Sequence, residues 1–153
     1  MFFCLGNICR SPVAEGVFLH HIEQRGLGHT FHVESSGTSA YHVGEAPDPG
    51  SREVVARRLG ADISGQRAQQ LTRRHLDEFD VLVAMDGNNR RDALAMRPNA
   101  KILLLRDFDP ADRGADVPDP WGGGISEFER VFDIVNRSTL HLIEWLLQPE
   151  EDR

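Results

Sequence analysis

The stretch richest in chemistry is "CLGNICRSP", Cys4 to Pro12, where two cysteines, an arginine and a proline share one short segment. Cys4 ends an apolar run and Pro12 suits the first position of a helix, so residues 5 to 10 read as a loop entering a helix N-terminus. Backbone N–H groups at such a place carry partial positive charge and attract anions. The same field, with Arg10 nearby, favours a thiolate at Cys4 and makes it a nucleophile at neutral pH. Arg10 adds a planar fork that binds two oxygens of a phosphoryl group, a geometry lysine cannot supply. Gly6 leaves room for an anion against the backbone, and Asn7 tolerates the left-handed conformation of a tight loop. Ser11 can donate to the Cys4 sulfur. The bland alternative is an inert strand cysteine followed by a solvated arginine; Gly6, Asn7, Ser11 and Pro12 together favour nucleophilic attack on a bound phosphate.

A loop of this kind needs a strand before it and a helix after it. Strands are predicted at Phe2–Cys4, Phe31–Ser35, Val81–Met85 and Ile102–Leu105, alternating with helices over Pro12–Gln24, Ser51–Leu59 and Asn88–Met96. A long last helix carries Ile125, Phe128, Phe132, Val135, Leu142 and Leu146 on one face, with Ser126 and Glu129 as a capping box and Pro149 as its stop. The alternation predicts an α/β fold, a parallel sheet with right-handed crossover helices. Two irregular loops, Thr38–Gly50 and Arg106–Gly124, follow the second and fourth strands. At the carboxyl edge of a parallel sheet both converge on the opening motif.

The 153 residues, 40% hydrophobic and 27% charged, predict one domain over residues 1–153. A net charge of -7 opposes nucleic-acid or anionic-membrane binding. Nothing approaches the roughly 20 apolar residues of a membrane span. The apolar start is broken by Gly6, Asn7 and Arg10, unlike a secretory signal, so a cytoplasmic protein is expected. Two cysteines are too few for a disulfide scaffold and a poor zinc site, and neither metal nor cofactor is expected. Cys9 lies within reach of Cys4, so a reversible Cys4–Cys9 disulfide is one reading and a buried spectator thiol the other.

If phosphate is transferred to Cys4, a carboxyl must protonate the leaving oxygen and then activate water. The second loop offers Asp107, Asp109, Asp112, Asp116 and Asp119, which composition alone does not rank. Asp119 stands apart through the prolines on either side and the adjacent Trp121. Asp86, at the end of the third strand, reads either as orienting the loop or as capping the next helix.

"CLGNICRSP" followed by "VAEGVF" resembles the active-site loop and first helix of low-molecular-weight protein-tyrosine phosphatases, and "SSGTSAYHVGEAPDP", "FDVLVAMDGNN" and "VPDPWGGG" extend the likeness along the chain. The resemblance implies a four-stranded parallel sheet with helices on both faces, a flavodoxin-like three-layer sandwich, and a cysteinyl-phosphate mechanism. It makes Cys4 the nucleophile, Arg10 the phosphate clamp and Asp119 the general acid. The loop Leu5, Gly6, Asn7, Ile8, Cys9 and Ser11 would bind the phosphate, and Asn7, Ser11 and Ser35 would brace it, with Ser36 the neighbour that leaves the last assignment open. Tyr41 and Trp121 would form an aromatic rim for phosphotyrosine, with Leu5 and Ile8 at the base. Expected partners are phosphotyrosine-containing proteins and inorganic oxyanions, acted on by a monomer or weak dimer.

Related protein-arginine phosphatases resemble "C-T-G-N-T-C-R" and carry Thr where this chain has Ile8, which favours tyrosine. Arsenate reductases of this fold relay electrons through further cysteines, which this sequence lacks. A non-catalytic phosphate-binding module is the reading from another class. Gln66 and Gln69 stand where many relatives carry His and Arg, so the resemblance does not carry over a secondary contact from these side chains to the loop.

Overall fold

A computed structural model describes residues 1–153. Strands β1 (Phe2–Cys4), β2 (Ser35–Gly37), β3 (Val83–Ala84) and β4 (Leu103–Leu104) form one sheet in the order β2-β1-β3-β4, with every pairing parallel. Side chains alternate across it, as the two-residue period of a strand requires. Phe2, Cys4, Val83 and Met85 enter one core, while Phe3, Leu82 and Ala84 enter another. Helices α1 (Arg10–Gln24), α2 (Pro49–Leu59) and α5 (Ile125–Leu146) cover the first face, and α3 (Arg73–Glu78) and α4 (Gly87–Met96) the second. Three layers result, the α/β sandwich expected.

The chain departs from β1 to β2 on one side and returns to β3 on the other. Loops diverge at that reversal and leave a crevice beyond the carboxyl ends of the strands. A cavity of about 210 Å³ lies there. A larger cleft of about 900 Å³ opens at the opposite end of the sheet, between Phe18, Phe79 and Trp145, and neither cysteine lines it. No helix is long and apolar enough to cross a membrane.

Several expected boundaries shift. The sequence pattern predicts the second strand at Phe31–Ser35, yet pairing begins at Ser35, opposite Phe2. Phe31 and Val33 do pack against the core, but a strand needs a hydrogen-bonding neighbour and β1 offers three residues. Helix α1 starts at Arg10, so Pro12 is its third residue rather than its first, still within the turn whose N–H groups have no intrahelical acceptor. The Ser126–Glu129 capping box is absent. Gly124 precedes α5 without a side-chain cap, Ser126 lies inside the helix, and Ile125 stays 40% exposed. Helix α3 was not foreseen. Its start is a capping box between Thr72 and His75, with histidine filling the place usually read for Glu or Gln.

Candidate active site

The loop between β1 and α1 is tied down through its carbonyl groups. Thr38 N–H donates to Cys4 O at 2.9 Å and Asp48 N–H to Ile8 O at 2.8 Å. Ser39 holds Leu5 O with its amide and its hydroxyl, and Ser51 Oγ donates to Cys9 O at 2.9 Å. The N–H groups of Leu5, Gly6, Ile8 and Cys9, by contrast, donate to no protein acceptor. Uncommitted donors in a largely buried segment at an uncapped helix start form an anion cradle. Gly37 backs this loop closely: a Cβ there would sit 2.7 Å from Leu5 O and 3.0 Å from Asn7 N.

Asn7 is the one non-glycine residue with positive φ, at 58°, as its tolerance for that region allows. Its amide N–H points to Cys4 Sγ at 3.3 Å. Its side-chain amide donates to Ser11 Oγ at 2.8 Å and Ser35 Oγ at 3.0 Å, and Gln69 N–H donates back to Asn7 Oδ1 at 3.0 Å. Gln69 thus meets the loop through its backbone amide. The Gln69 side chain holds Glu34 and Ser35 O, and Gln66 holds Pro12 O. Between the two serines, Ser35 makes the side-chain contact, while the Ser36 hydroxyl turns to the Met1 sulfur. The Ser11 hydroxyl has one proton and two nearby acceptors, Cys4 Sγ at 3.1 Å and Ser36 O at 3.3 Å.

Arg10 is 3% exposed. Its Nη1 donates to Asp86 Oδ2 at 2.6 Å and Val117 O at 3.0 Å, while Nη2 lies 3.9 Å from Asp119 Oδ2. Burial pulls this guanidinium down, but the Cys4 sulfur and the Asp86 carboxylate outweigh it and hold its pKa above the ordinary value. Asp86 is shared between two partners: Oδ2 accepts from Arg10 and Oδ1 accepts Asn89 N–H at 2.7 Å, capping α4.

Among the loop aspartates, Asp119 alone lines the cavity. Asp109 is fully buried against arginines, Asp107 accepts Leu104 N–H and Asp116 accepts Gly87 N–H. Asp119 Oδ1 takes Trp121 N–H at 3.1 Å, leaving Oδ2 toward Arg10. Tyr41 and Trp121 line the same cavity and are 80% and 65% exposed, a position at its mouth. Leu5, expected at the base, is 43% exposed and also belongs to the mouth, while Ile8 at 9% lies deeper.

Three participants escaped sequence reading. His42 lines the cavity and its Nδ1 bonds the Glu45 carboxylate. Its ring lies beside Gly6, where a Cβ would stand 3.0 Å from His42 Cδ2, while the Gly6 N–H stays uncommitted. Glu15 lies against Ser35, its pKa raised by burial despite hydrogen bonds from that residue. Val117 O, a backbone group, fixes Arg10. The signal available for His42 was its place beside Tyr41; for Glu15 and Val117 there was none.

The two thiols differ. Both are buried and unbridged, but burial, reinforced by Asp48, pushes the Cys9 thiol far above the usual range. Cys9 stays protonated, and the sulfur beside Arg10 and the Asn7 amide is that of Cys4.

A family model described as "Low molecular weight phosphotyrosine protein phosphatase" matches residues 1–151. A relative from Streptomyces coelicolor, a low molecular weight protein-tyrosine-phosphatase, is 39% identical over 159 aligned positions, covering 99% of this chain and 95% of its own. The crystal structure of a protein tyrosine phosphatase from Entamoeba histolytica superposes with a TM-score of 0.89 at 35% identity, covering 95% and 94% of the two chains. The YwlE arginine phosphatase shares the fold, with a TM-score of 0.87 at 24% identity over 99% of this chain and 97% of that one. Matched along nearly its whole length, the chain belongs to the low molecular weight phosphotyrosine protein phosphatase family, a family of hydrolases.

Proposed function

We propose that this chain hydrolyses phosphotyrosine in proteins, and small aryl phosphates, with Cys4, Arg10 and Asp119 as its catalytic residues. The observation that carries this reading is the cradle around Cys4: free amides at Leu5, Gly6, Ile8 and Cys9, the Asn7 amide on the sulfur, and a buried guanidinium alongside. Donors fixed before substrate arrives stabilise the charge of a phosphoryl group in transfer without reorganising. The Cys4 sulfur attacks phosphorus, the bond to the aryl oxygen breaks, and Asp119 gives that oxygen its proton. Asp119, now ionised, takes a proton from water, whose oxygen attacks phosphorus. The P–S bond breaks, inorganic phosphate departs and the Cys4 thiolate returns. Tyr41, Trp121 and Ile8 offer the apolar and aromatic surface that an aryl ring would contact.

Hydrolysis of 4-nitrophenyl phosphate tests this. Cys4→Ser abolishes turnover, and Asp119→Ala lowers kcat by about 10²-fold or more, the usual worth of a positioned acid. Turnover retained by Cys4→Ser removes the mechanism; tight vanadate binding by a wild type that does not turn over removes catalysis in favour of a phosphate-binding role.

A further inference from the structure

Asp109 is fully buried, and each of its carboxylate oxygens meets more than one donor. Oδ1 accepts Arg137 Nε at 2.7 Å and Ala111 N–H at 2.9 Å, while Oδ2 accepts Arg106 Nε at 2.9 Å and Arg137 Nη2 at 3.0 Å. Arg137 belongs to α5 and Arg106 to the turn after β4, so one carboxylate fastens the loop to the longest helix. Arg106, 8% exposed, is held at one edge by Asp109 and donates from the other, through Nη1, to Asp116 O at 2.8 Å. Its own carbonyl accepts Gly114 N–H at 2.9 Å.

What Arg106 grips is the root of the segment bearing Asp119. The residue after Asp116 is Val117, whose N–H donates to Met85 O and whose carbonyl accepts from Arg10. Pro118 then fixes its own φ and restricts Val117 before it, so little rotation is available between Val117 and Asp119. A displacement at Asp116 is thereby passed to the carboxyl 3.9 Å from the Arg10 guanidinium.

We propose that Arg106, braced by Asp109, is a positioning residue that sets where Asp119 stands relative to the leaving oxygen. This rests on the reading of Asp119 as the proton donor. An acid held out of place is missed most by a strongly basic leaving group and least by one that departs unaided. The readout is therefore the ratio of kcat/KM for 4-nitrophenyl phosphate to kcat/KM for phenyl phosphate, which covers the step that expels the aryl oxygen and leaves out hydrolysis of the cysteinyl phosphate common to both. In Arg106→Met that ratio rises about tenfold over wild type. In an Asp119→Ala background the same substitution leaves the ratio where Asp119→Ala alone put it, because the two residues act as one unit.

A loss of equal size on both substrates, or a full additional effect in the Asp119→Ala background, overturns the proposal. Should Arg106→Met fail to fold by circular dichroism, Arg106→Lys replaces it. Lysine keeps a cation for Asp109 but lacks the fork that reaches Asp116 O as well, so the ratio must still rise; an unchanged ratio overturns the proposal equally. If wild type cleaves neither ester, or the ratio is untouched by Asp119→Ala itself, the failure belongs to the catalytic assignment and the proposal falls with it.

Discussion

Arg10 and Asp86, 76 positions apart, are joined by a 2.6 Å hydrogen bond between a nearly buried guanidinium and a carboxylate 14% exposed. The same carboxylate caps α4 through its other oxygen. Asp86→Ala is expected to do two separable things: lower kcat/KM by about 10²-fold as Arg10 loses its orientation, and destabilise the fold by about 1 kcal/mol for the lost cap. Asp86→Ser, which can cap but cannot pair, should recover the stability measured by urea unfolding and not the activity.

Asn7 combines a backbone conformation with three side-chain contacts. Asn7→Gly keeps access to φ 58° and loses the contacts to Ser11, Ser35 and Gln69. Asn7→Ala loses both. Each variant should lower kcat, and Asn7→Ala should be the less stable by about 1 kcal/mol, the cost of a left-handed alanine. Equal stability of the two would show that the loop relaxes out of that conformation.

Gly37 leaves no room behind the cradle. Adding one methyl in Gly37→Ala brings it to 2.7 Å from a backbone oxygen, which overpacking penalises by about 1–3 kcal/mol. Because the atoms displaced belong to Leu5, Gly6 and Asn7, vanadate or phosphate affinity measured by calorimetry should fall about tenfold or more, out of proportion to the change at any other strand residue.

Asp109 gives the fold an acid limit. Hydrogen bonds from Arg137 first, then from Ala111 and Arg106, outweigh burial and hold its pKa well below the ordinary carboxylate range. A carboxyl lower in the folded than in the unfolded chain contributes stability that is fully present above about pH 4 and is lost as the pH falls toward the folded value. Asp109→Asn should cost about 3 kcal/mol at pH 7, and its gap to wild type in urea unfolding should narrow steadily below about pH 4.

The cradle was legible because its chemistry is written in consecutive residues: a nucleophile, an asparagine suited to positive φ and an arginine, all on one turn of chain. The alternation of strands with helices α1, α2, α4 and α5 followed from apolar periodicity, which survives in Phe2, Phe3 and Val83 facing alternate cores, whereas the strand order and α3 did not. Neither did register. The run Phe31–Ser35 has the pattern of a strand, but which of its residues pair depends on a neighbour that the pattern does not contain. The partnerships of Arg10 with Val117 O, of Arg106 with Asp109, and of His42 with Gly6 were equally hidden. Each joins groups whose individual chemistry is ordinary and whose meeting is made only by the folded sheet edge.

Arg10 closes on a carbonyl 107 positions later, and this has a meaning for the chain during its synthesis. Asp119 is made more than a hundred residues after Cys4 and Cys9, an interval of roughly 6 to 20 seconds at ordinary elongation rates. Through that interval both sulfurs belong to a nascent chain with neither its guanidinium clamp nor its sheet in place. On the mechanism proposed above, Cys4 should therefore gain its reactivity as a nucleophile only once the chain has closed on Val117, well after the thiol itself is made.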